Sequence, residues 1–269
     1  MSVSAAPGAS AEPMVTPNMA PNPGRLAGKV AIVTGSSKGI GRAIALAFAT
    51  AGVQVVGVSR GDSSDPDGGP ATLVARVAGL AGSYTHVSGD VGKEVTARDS
   101  VECAISLHGK IDMLVNNAGT GLYADFTDSN ADVYDQIMNT NMRSTFLFTS
   151  HVVPVMKAAH AGLILQISSL AGLRGFPRES IYCASKHAQV GFTRALRQEL
   201  QPFGITVGVI CPAGVATEFA LGTGRTQEFI DNAGFLAAED VADAVLFAAC
   251  QPPHARVTEL GLISMNEPL

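Results

Sequence analysis

The chain has 269 residues and a formal net charge of −5, from 18 Lys and Arg against 23 Asp and Glu. A chain of this length can bury a full core, and α/β architectures of roughly 250 residues commonly form one domain. Because nucleic-acid binding needs clustered cations, this charge balance argues against DNA or RNA as a partner.

The first 24 residues, Met1 to Gly24, are rich in Ala, Pro, Ser and Asn, and carry one charge, Glu12. We interpret them as a disordered tail, because such a stretch buries too little surface to offset its ordering entropy. They lack the pattern of a secretory signal and the arginines of a mitochondrial presequence, and an organelle-targeting role is the alternative. The remaining residues, 25–269, are predicted to form one domain.

The sequence also argues against a membrane-spanning protein and against a zinc-binding protein. No uninterrupted apolar run reaches the ~20 residues of a membrane-spanning helix, so no membrane insertion is expected. The four cysteines form no CxxC pair and no zinc-like spacing with the six histidines. We therefore expect a reduced cytoplasmic protein without a metal.

From Lys29 onward, short apolar runs alternate with longer segments of helical period, which is typical of strands and crossover helices in a parallel sheet. The predicted strands are Val30–Val33, Val55–Val58, Tyr84–Val87, Met113–Val115, Leu163–Ile167, Thr206–Ile210 and Val257–Ile263. The predicted helices are Arg42–Thr50, Val95–Leu107, Ser144–Ala158, Ser185–Gln201 and Ala238–Ala249. Near-continuous Val, Ile and Leu in the strands indicates burial on both faces. The fold class is therefore α/β: a doubly wound, seven-stranded parallel sheet with helices on both faces, and with ligands at the carboxyl ends of its strands.

A glycine-rich turn, residues 34–41 (TGSSKGIG), directly follows the first strand and precedes an Ala-rich helix. Gly35 allows a tight turn, while Gly39 and Gly41 lack the Cβ atoms that would keep a pyrophosphate away from the helix N-terminus. Backbone N–H groups and the helix dipole then face the diphosphate. The predicted dinucleotide-binding residues here are Gly35, Ser37, Lys38, Gly39, Ile40 and Gly41.

The spacing TGxxxGxG resembles that of the short-chain dehydrogenase/reductase family, and further matches follow in the family's order. Asp90 and Val91 resemble its adenine-contacting pair, and residues 116–119 match its NNAG motif. The resemblance covers nearly everything from Leu26 to the last strand. It implies a single-domain Rossmann fold whose cofactor-binding residues include Asn117, Ala118 and Gly119.

The end of the second strand decides which nicotinamide cofactor is preferred, because the adenosine ribose lies there. An acidic residue would select NAD(H), whereas this chain has Ser59 followed by Arg60. Arg60 can hold a 2′-phosphate as a planar fork and Lys38 supplies a second cation, as in NADP(H)-preferring members. We therefore predict that NADP(H) is preferred and that NAD(H) is possible.

Two observations leave that preference open. Arg60 and Lys38 can also be interpreted as ordinary solvated charges. The adjacent segment, residues 61–70 (GDSSDPDGGP), is predicted to be a loop, and its carboxylates at Asp62, Asp65 and Asp67 would weaken phosphate binding if they fold over the site.

Tyr182 and Lys186 lie four positions apart, so a helix places the phenol and the ammonium on one face. A neighbouring cation stabilises the phenolate, so we expect Lys186 to lower the pKa of Tyr182. A YxxxK pair is common by chance, but Ser169 stands 13 positions before Tyr182, as in the family. The resemblance implies that Ser169 orients a carbonyl and Tyr182 transfers the proton. It also implies that Tyr182 and Lys186 are among the cofactor-binding residues, with Lys186 holding the nicotinamide ribose, and that Asn141 holds a water for proton relay.

Beyond the sixth strand, residues 212–217 (PAGVAT) resemble the family's PGxVxT segment, which contacts the nicotinamide. The implied cofactor-binding residues are Pro212, Gly214, Val215 and Thr217. Ala213 replaces the usual glycine, which puts the local backbone angles in question, although Gly214 next to it can absorb strain.

The substrate is expected under residues 218–236, the segment where the family varies most. It carries Phe219, Leu221, Phe229 and Phe235 with Arg225, which suits a modest apolar substrate or a carboxylate. Gly222 and Gly224 suggest that it moves. The chain's ending resembles that of the small-aldehyde, ketone and 3-hydroxy-acid members.

The leading hypothesis is a carbonyl reductase or alcohol dehydrogenase type of enzyme that reduces a small ketone or aldehyde with NADPH. An alternative is NADP-dependent oxidation of a 3-hydroxy acid or secondary alcohol by the same site. A non-catalytic nucleotide sensor on the same fold is the third hypothesis, because fold alone does not imply catalysis. The helices from Ser144 and from Ser185 resemble those that pair subunits in this family, which implies a homodimer or homotetramer.

Overall fold

A computed structural model describes residues 23–61, 69–252 and 254–266. Seven parallel strands form one sheet in the order β3-β2-β1-β4-β5-β6-β7. Their bounds are β1 (Val30–Thr34), β2 (Gln54–Ser59), β3 (Ser83–Ser88), β4 (Met113–Asn116), β5 (Gly162–Ile167), β6 (Ile205–Pro212) and β7 (Glu259–Leu262). All seven predicted strands are confirmed, and so is the doubly wound α/β architecture.

Helices cover both faces of the sheet. They are α1 (Gly39–Thr50), α2 (Gly69–Val77), α3 (Glu94–His108), α4 (Ala131–Met138), α5 (Ser144–Ala159), α6 (Ser180–Leu200), α7 (Gln227–Asn232) and α8 (Ala238–Ala249). Apolar residues of α1, α2 and α8 pack on one face, and those of α3 and α5 pack on the other. The core is therefore two apolar layers separated by the sheet.

The five predicted helices are confirmed, with one change that matters for function. Helix α6 begins at Ser180 and not at Ser185, so Tyr182 and Lys186 lie in the same helix. Three helices were not predicted: α2, α4 and α7. The segment 61–70 was predicted to be a loop, but Gly69 and Pro70 already belong to α2. A proline is compatible with a first helical turn, where its missing N–H has no partner to lose.

Two predictions fall mainly outside the described residues. Of the predicted tail, Met1 to Gly24, only the last two residues are described, and they lie in the 3-10 turn Pro23–Arg25. In the predicted loop, residues 62–68 with their three aspartates are outside them as well. Among the helices that are described, none is long and apolar enough to cross a membrane.

The strand order places the functional site. The chain runs from β1 outward to β3 and then crosses back to add β4 on the other side of β1. The carboxyl ends of β1 and β4 are therefore adjacent where the connections diverge. In open α/β sheets this switch point is where ligands bind.

Candidate active site

The glycine-rich turn after β1 has the geometry that close approach to α1 requires. Gly35 and Gly39 have positive φ angles of 68° and 52°. A Cβ atom on Gly41 would lie 2.1 Å from the Gly35 carbonyl oxygen, so that position excludes any side chain. Lys38 makes no side-chain capping hydrogen bond at the start of α1. The N–H groups of the first turn, including that of Ile40, are thus oriented as an anion site needs.

Thr34 and Asn117 join the ends of β1 and β4. The hydroxyl oxygen of Thr34 accepts hydrogen bonds from the backbone N–H groups of Asn117 and Ala118, both at 3.0 Å. The side-chain amide of Asn117 donates to the carbonyls of Thr34 at 2.9 Å and Gly35 at 3.3 Å. Asn117 therefore holds the turn in place. Thr34 was not singled out from the sequence, although it is the first residue of the TGxxxGxG motif.

The end of β2 carries the residues predicted to select the cofactor. Ser59 is buried, and its hydroxyl lies 2.8 Å from Nε2 of His86 on β3. Arg60 and Lys38 are exposed at the same edge. Burial lowers the pKa of His86, so its ring is neutral at pH 7. His86 was missed because a histidine in an alternating strand gives no sequence signal of its own.

The other predicted adenine-side residues lie just beyond β3. Asp90 is exposed and its carboxylate accepts a hydrogen bond of 2.9 Å from the N–H of Gly92. Val91 is buried among the apolar residues between the sheet and α3. Asp90 thus shapes the turn that leads into α3.

Five of the predicted site residues converge beside α6. Lys186 is buried, its ammonium donates to the Ile167 carbonyl at 3.0 Å, and it lies 5.6 Å from the centre of the Tyr182 ring. Tyr182 forms a hydrogen bond with Ser169. A Cβ atom on Gly119 would lie 3.6 Å from the Lys186 nitrogen and 3.5 Å from Asn141 Oδ1. Ser169, Tyr182, Lys186, Gly119 and Asn141 therefore form one cluster.

The pKa of Tyr182 beside Lys186 differs from the value expected from the sequence. Burial raises the pKa of Tyr182 well above its ordinary value, and the hydrogen bond with Ser169 only partly opposes this. Burial also lowers the pKa of Lys186 to about 8. The prediction of a lowered phenol pKa is wrong for the protein alone, because loss of hydration outweighs the neighbouring cation. At pH 7 the phenol is protonated.

Asn141 lies in a π-helical turn, Asn139–Arg143, between α4 and α5. Its Oδ1 accepts from the Thr120 N–H at 2.8 Å, and its Nδ2 donates to the Thr120 carbonyl and the Ser185 hydroxyl, both at 2.9 Å. Ser185 in turn donates to the Tyr182 carbonyl at 2.7 Å. Single π-turns are frequent at functional sites. These contacts make Asn141 a positioning residue, and its role in holding a water stays a prediction.

A buried glutamine of α6 also supports the π-helical turn that contains Asn141. The buried Gln189 on α6 donates to the Asn141 carbonyl at 3.0 Å and to the Thr145 hydroxyl at 2.8 Å. Ser185 and Gln189 were not predicted. Their spacing from Tyr182 and Lys186, three residues in each case, is the helical signal that places them toward the same interior.

The segment after β6 meets the glycine-rich turn. A Cβ atom on Gly39 would lie 3.3 Å from the side chain of Thr217. A cavity of about 280 Å³ opens beside this contact. Neither Ala213 nor Gly214 has a positive φ, so the alanine causes no strain. Gly214 is needed instead because a Cβ atom there would lie 2.2 Å from the Phe235 ring.

The segment 218–236 covers Tyr182. The ring centres of Phe219 and Tyr123 lie 5.6 Å and 6.3 Å from that of Tyr182. Thr223 ties the segment to the connection after β4, because its carbonyl accepts from the Tyr123 N–H at 2.9 Å and its hydroxyl donates to the Gly121 carbonyl at 3.1 Å. Tyr123 gave no signal in the sequence beyond its place after the NNAG motif.

The glycines that suggested movement of this segment have a local structural role. Gly222 and Gly224 have positive φ angles of 76° and 121°. A Cβ atom on Gly224 would lie 2.4 Å from the Tyr123 Cβ. Gly224 therefore permits close packing of the segment, and its movement stays a prediction.

A doubly wound parallel sheet, a glycine-rich turn after β1 and a half-buried serine beside a buried tyrosine and lysine together define an oxidoreductase on a Rossmann-type fold. The chain belongs to the short-chain dehydrogenase family, whose model, described as short chain dehydrogenase, matches residues 29–228. The resemblance inferred from the motifs is thereby confirmed.

Individual relatives agree with this assignment. An uncharacterized oxidoreductase of Thermotoga maritima is 32% identical over 234 residues, covering 83% of this chain and 90% of the relative. The structure of 3-ketoacyl-(acyl-carrier-protein) reductase from Brucella melitensis complexed with NADH has a TM-score of 0.79 and 31% identity, and the match covers 90% of this chain and 100% of that one. An alcohol dehydrogenase from Thermococcus sibiricus complexed with 5-hydroxy-NADP has a TM-score of 0.77 at 26% identity, covering 90% and 98%.

Proposed function

We propose that the protein reduces a small ketone or aldehyde to an alcohol with NADPH. The observation that carries this proposal is the cluster in which the buried Tyr182 is hydrogen-bonded to the half-buried Ser169 and lies over the Lys186 ammonium. Solved structures of two relatives hold NADH and 5-hydroxy-NADP, which supports a nicotinamide cofactor here. The protonated state of Tyr182 favours the reductive direction, in which a proton must be given.

The residues present fit a dinucleotide. The turn at Gly35, Gly39 and Gly41 leaves room for a diphosphate at the start of α1. Residues 212–217 adjoin the same turn and would contact the nicotinamide, and Lys186 would hold its ribose. When bound, the reduced nicotinamide supplies the hydride.

Proton transfer is the part of the reaction that the chain itself performs. We assign to Ser169 a hydrogen bond to the carbonyl oxygen of the substrate, which fixes its position beside the phenol. Tyr182 gives its proton to the oxygen as negative charge develops there, a step worth roughly 10² to 10⁴ in rate. The Lys186 ammonium stabilises the phenolate that remains. Burial under Phe219 strengthens each of these interactions by excluding water.

NADPH preference is the finer part of the proposal. Arg60 and Lys38 are exposed at the edge where a 2′-phosphate would lie. Ser59 brings no negative charge there, and its hydroxyl is engaged with a neutral His86. Two exposed cations and a neutral strand end favour a phosphate over a bare ribose.

We also infer a homo-oligomer, formed through α5 and α6. Phe146 on α5 is about half exposed, at 52%, in a helix that otherwise packs on the sheet. An exposed aromatic ring on one of the two helices that resemble the family's subunit contacts supports this inference. Light scattering at micromolar concentration tests the inference, and a stable monomer would refute it.

The direct test of the function is turnover of a panel of ketones, aldehydes and hydroxy acids with NADPH, NADH and their oxidised forms. We expect the highest kcat/KM for a carbonyl compound with NADPH. Turnover confined to alcohols with the oxidised cofactor at neutral pH would contradict the proposed direction, and turnover of nothing in the panel would favour a non-catalytic role.

A further inference from the structure

Arg225 lies one aromatic ring away from the phenol of Tyr182. Its guanidinium carbon is 5.3 Å, 5.9 Å and 5.0 Å from the ring centres of Tyr123, Phe219 and Phe235. Tyr123 and Phe219 are the two rings that pack against Tyr182. These shared rings place the guanidinium close enough to the phenol for Arg225 to act electrostatically on Tyr182.

The charge of Arg225 is not neutralised by an ion pair. Among the described residues, no carboxylate oxygen lies within 4.0 Å of its guanidinium, whereas the nearby Arg178 pairs with Asp125 at 3.2 Å. Stacking on aromatic faces holds a guanidinium in place without removing its charge. One hydrogen bond joins Arg225 to the Tyr123 phenol, and a guanidinium has five N–H donors. Donors at its edge are left for a ligand.

The carboxyl group of Glu179 faces Arg225 but compensates its charge only in part. Glu179, three residues before Tyr182, interacts electrostatically with Arg225, but burial raises its pKa to about 7. Near neutral pH this carboxyl group is therefore not fully ionised. A positive group that is partly desolvated and incompletely compensated favours an anion.

We propose that Arg225 binds a carboxylate of the substrate, so that the preferred carbonyl compounds are oxo acids. A guanidinium presents two parallel N–H donors that match a planar carboxylate. The aromatic rings around it form the apolar wall for the short chain between the carboxylate and the carbonyl group. The inference rests on the proposed carbonyl reduction at Tyr182 and names its substrate class. The competing role for Arg225 is that of a purely structural latch, which holds the segment 218–236 over the site.

The experiment compares oxo acids with their uncharged methyl esters, using 2-, 3- and 4-oxopentanoic acid and the full-length enzyme with NADPH. Arg225→Gln removes the charge and keeps most of the side chain, and Arg178→Gln is the matched control for loss of a neighbouring arginine. We expect the wild type to favour the best acid over its ester by roughly 10- to 100-fold in kcat/KM, the range of charge-assisted hydrogen bonds. Arg225→Gln should abolish that preference, because kcat/KM should fall at least tenfold more for the acid than for the ester. Arg178→Gln should keep the preference.

A latch predicts a different result: Arg225→Gln would lower kcat/KM for acid and ester by the same factor, and this would overturn the proposal. So would a wild-type enzyme that shows no preference for the acid. Binding of the same pairs to the Tyr182→Phe enzyme with NADPH, measured by calorimetry, examines Arg225 without turnover. Tighter binding of the acid that disappears in Tyr182→Phe/Arg225→Gln supports the carboxylate site even if the proposed reduction fails, and equal dissociation constants overturn it.

Discussion

The ammonium of Lys186 lies 5.6 Å from the centre of the Tyr182 ring, one helical turn along α6. Its hydrogen bond goes to the Ile167 carbonyl at the end of β5. The lysine is thus anchored to the sheet, with its charge beneath the ring. Burial keeps Tyr182 protonated, and the nearby ammonium can stabilise the phenolate that forms when the proton is transferred. Substitutions of the two residues therefore test different parts of the chemistry.

Tyr182→Phe removes the proton donor and keeps the ring that packs against Phe219 and Tyr123. We expect turnover to fall by roughly 10² to 10⁴ and NADPH binding to be preserved, because the packing of the ring and the glycine-rich turn stay intact. Binding is measured from the fluorescence of NADPH itself, and the absence of tryptophan in the chain keeps this signal clean. Tyr134→Phe, at an exposed position of α4, is the control. A folded Tyr182→Phe enzyme within threefold of the wild-type rate would refute the assignment.

Lys186 makes stability depend on pH in a defined direction. Its folded-state pKa of about 8 lies below the ~10.4 of a solvated lysine. Between these values the unfolded chain holds a proton that the folded chain has lost, so the free energy of unfolding rises with pH. Thermal melts of the protein without cofactor should follow this change from pH 7 to 10. Over that range the free energy of unfolding of the wild type should increase relative to that of Lys186→Met, by an amount on the order of 1 to 3 kcal/mol. Burial raises the pKa of Cys211 to about 11, so in both proteins the folded thiol stays protonated across most of this range. A constant difference across this range would show that the lysine stays charged.

The elements that the sequence predicted are those with a strong local pattern. Short, mainly apolar runs indicated every strand, and the glycine spacing indicated the turn after β1. Helix α2 was missed because Gly69 and Pro70 look like a loop. Helices α4 and α7 were missed because they are short and depend on single capping side chains, Asn130 and Thr226.

The site was predictable to the same extent. Tyr182, Lys186 and Ser169 have a diagnostic spacing, so their convergence could be expected. The packing of Arg225 on Tyr123 joins residues about 100 positions apart, and no local pattern records it. The raised pKa of Tyr182 also escaped prediction, because it is set by burial, and burial depends on how Phe219 and Tyr123 close over the phenol.

Cofactor preference is tested at Arg60 and Ser59. Arg60→Ala should weaken NADPH binding roughly tenfold or more, the cost of a lost charge-assisted hydrogen bond, and leave NADH binding unchanged. Ser59→Asp should shift the preference toward NADH by repelling the 2′-phosphate. Titration of both cofactors gives the dissociation constants, with Arg98→Ala on the exposed face of α3 as the control. Equal affinity of the wild type for NADPH and NADH would contradict the proposed preference.

Glu179 should make the recognition of oxo acids depend on pH. The groups that face this carboxyl are Arg225 from the segment 218–236, Tyr123 after β4, and Tyr182 and Cys183 on α6. Burial raises the pKa of Tyr123 to about 12 and raises those of Tyr182 and Cys183 as well. Between pH 6 and 8, Glu179 is therefore the group in this set that titrates.

As the pH rises through about 7, Glu179 ionises and its carboxylate competes with that of the substrate for Arg225. The ratio of kcat/KM for an oxo acid to that for its methyl ester should fall by about two- to fivefold from pH 6 to 8, in keeping with a partly exposed ion pair. Lys186 also titrates near pH 8, but it acts on both substrates, so its effect cancels in the ratio. Glu179→Gln cannot ionise and should give a ratio that is high and independent of pH. If Glu179→Gln kept the fall, the competing group would lie elsewhere, and a flat ratio in the wild type would mean that Glu179 does not reach Arg225 in the working enzyme.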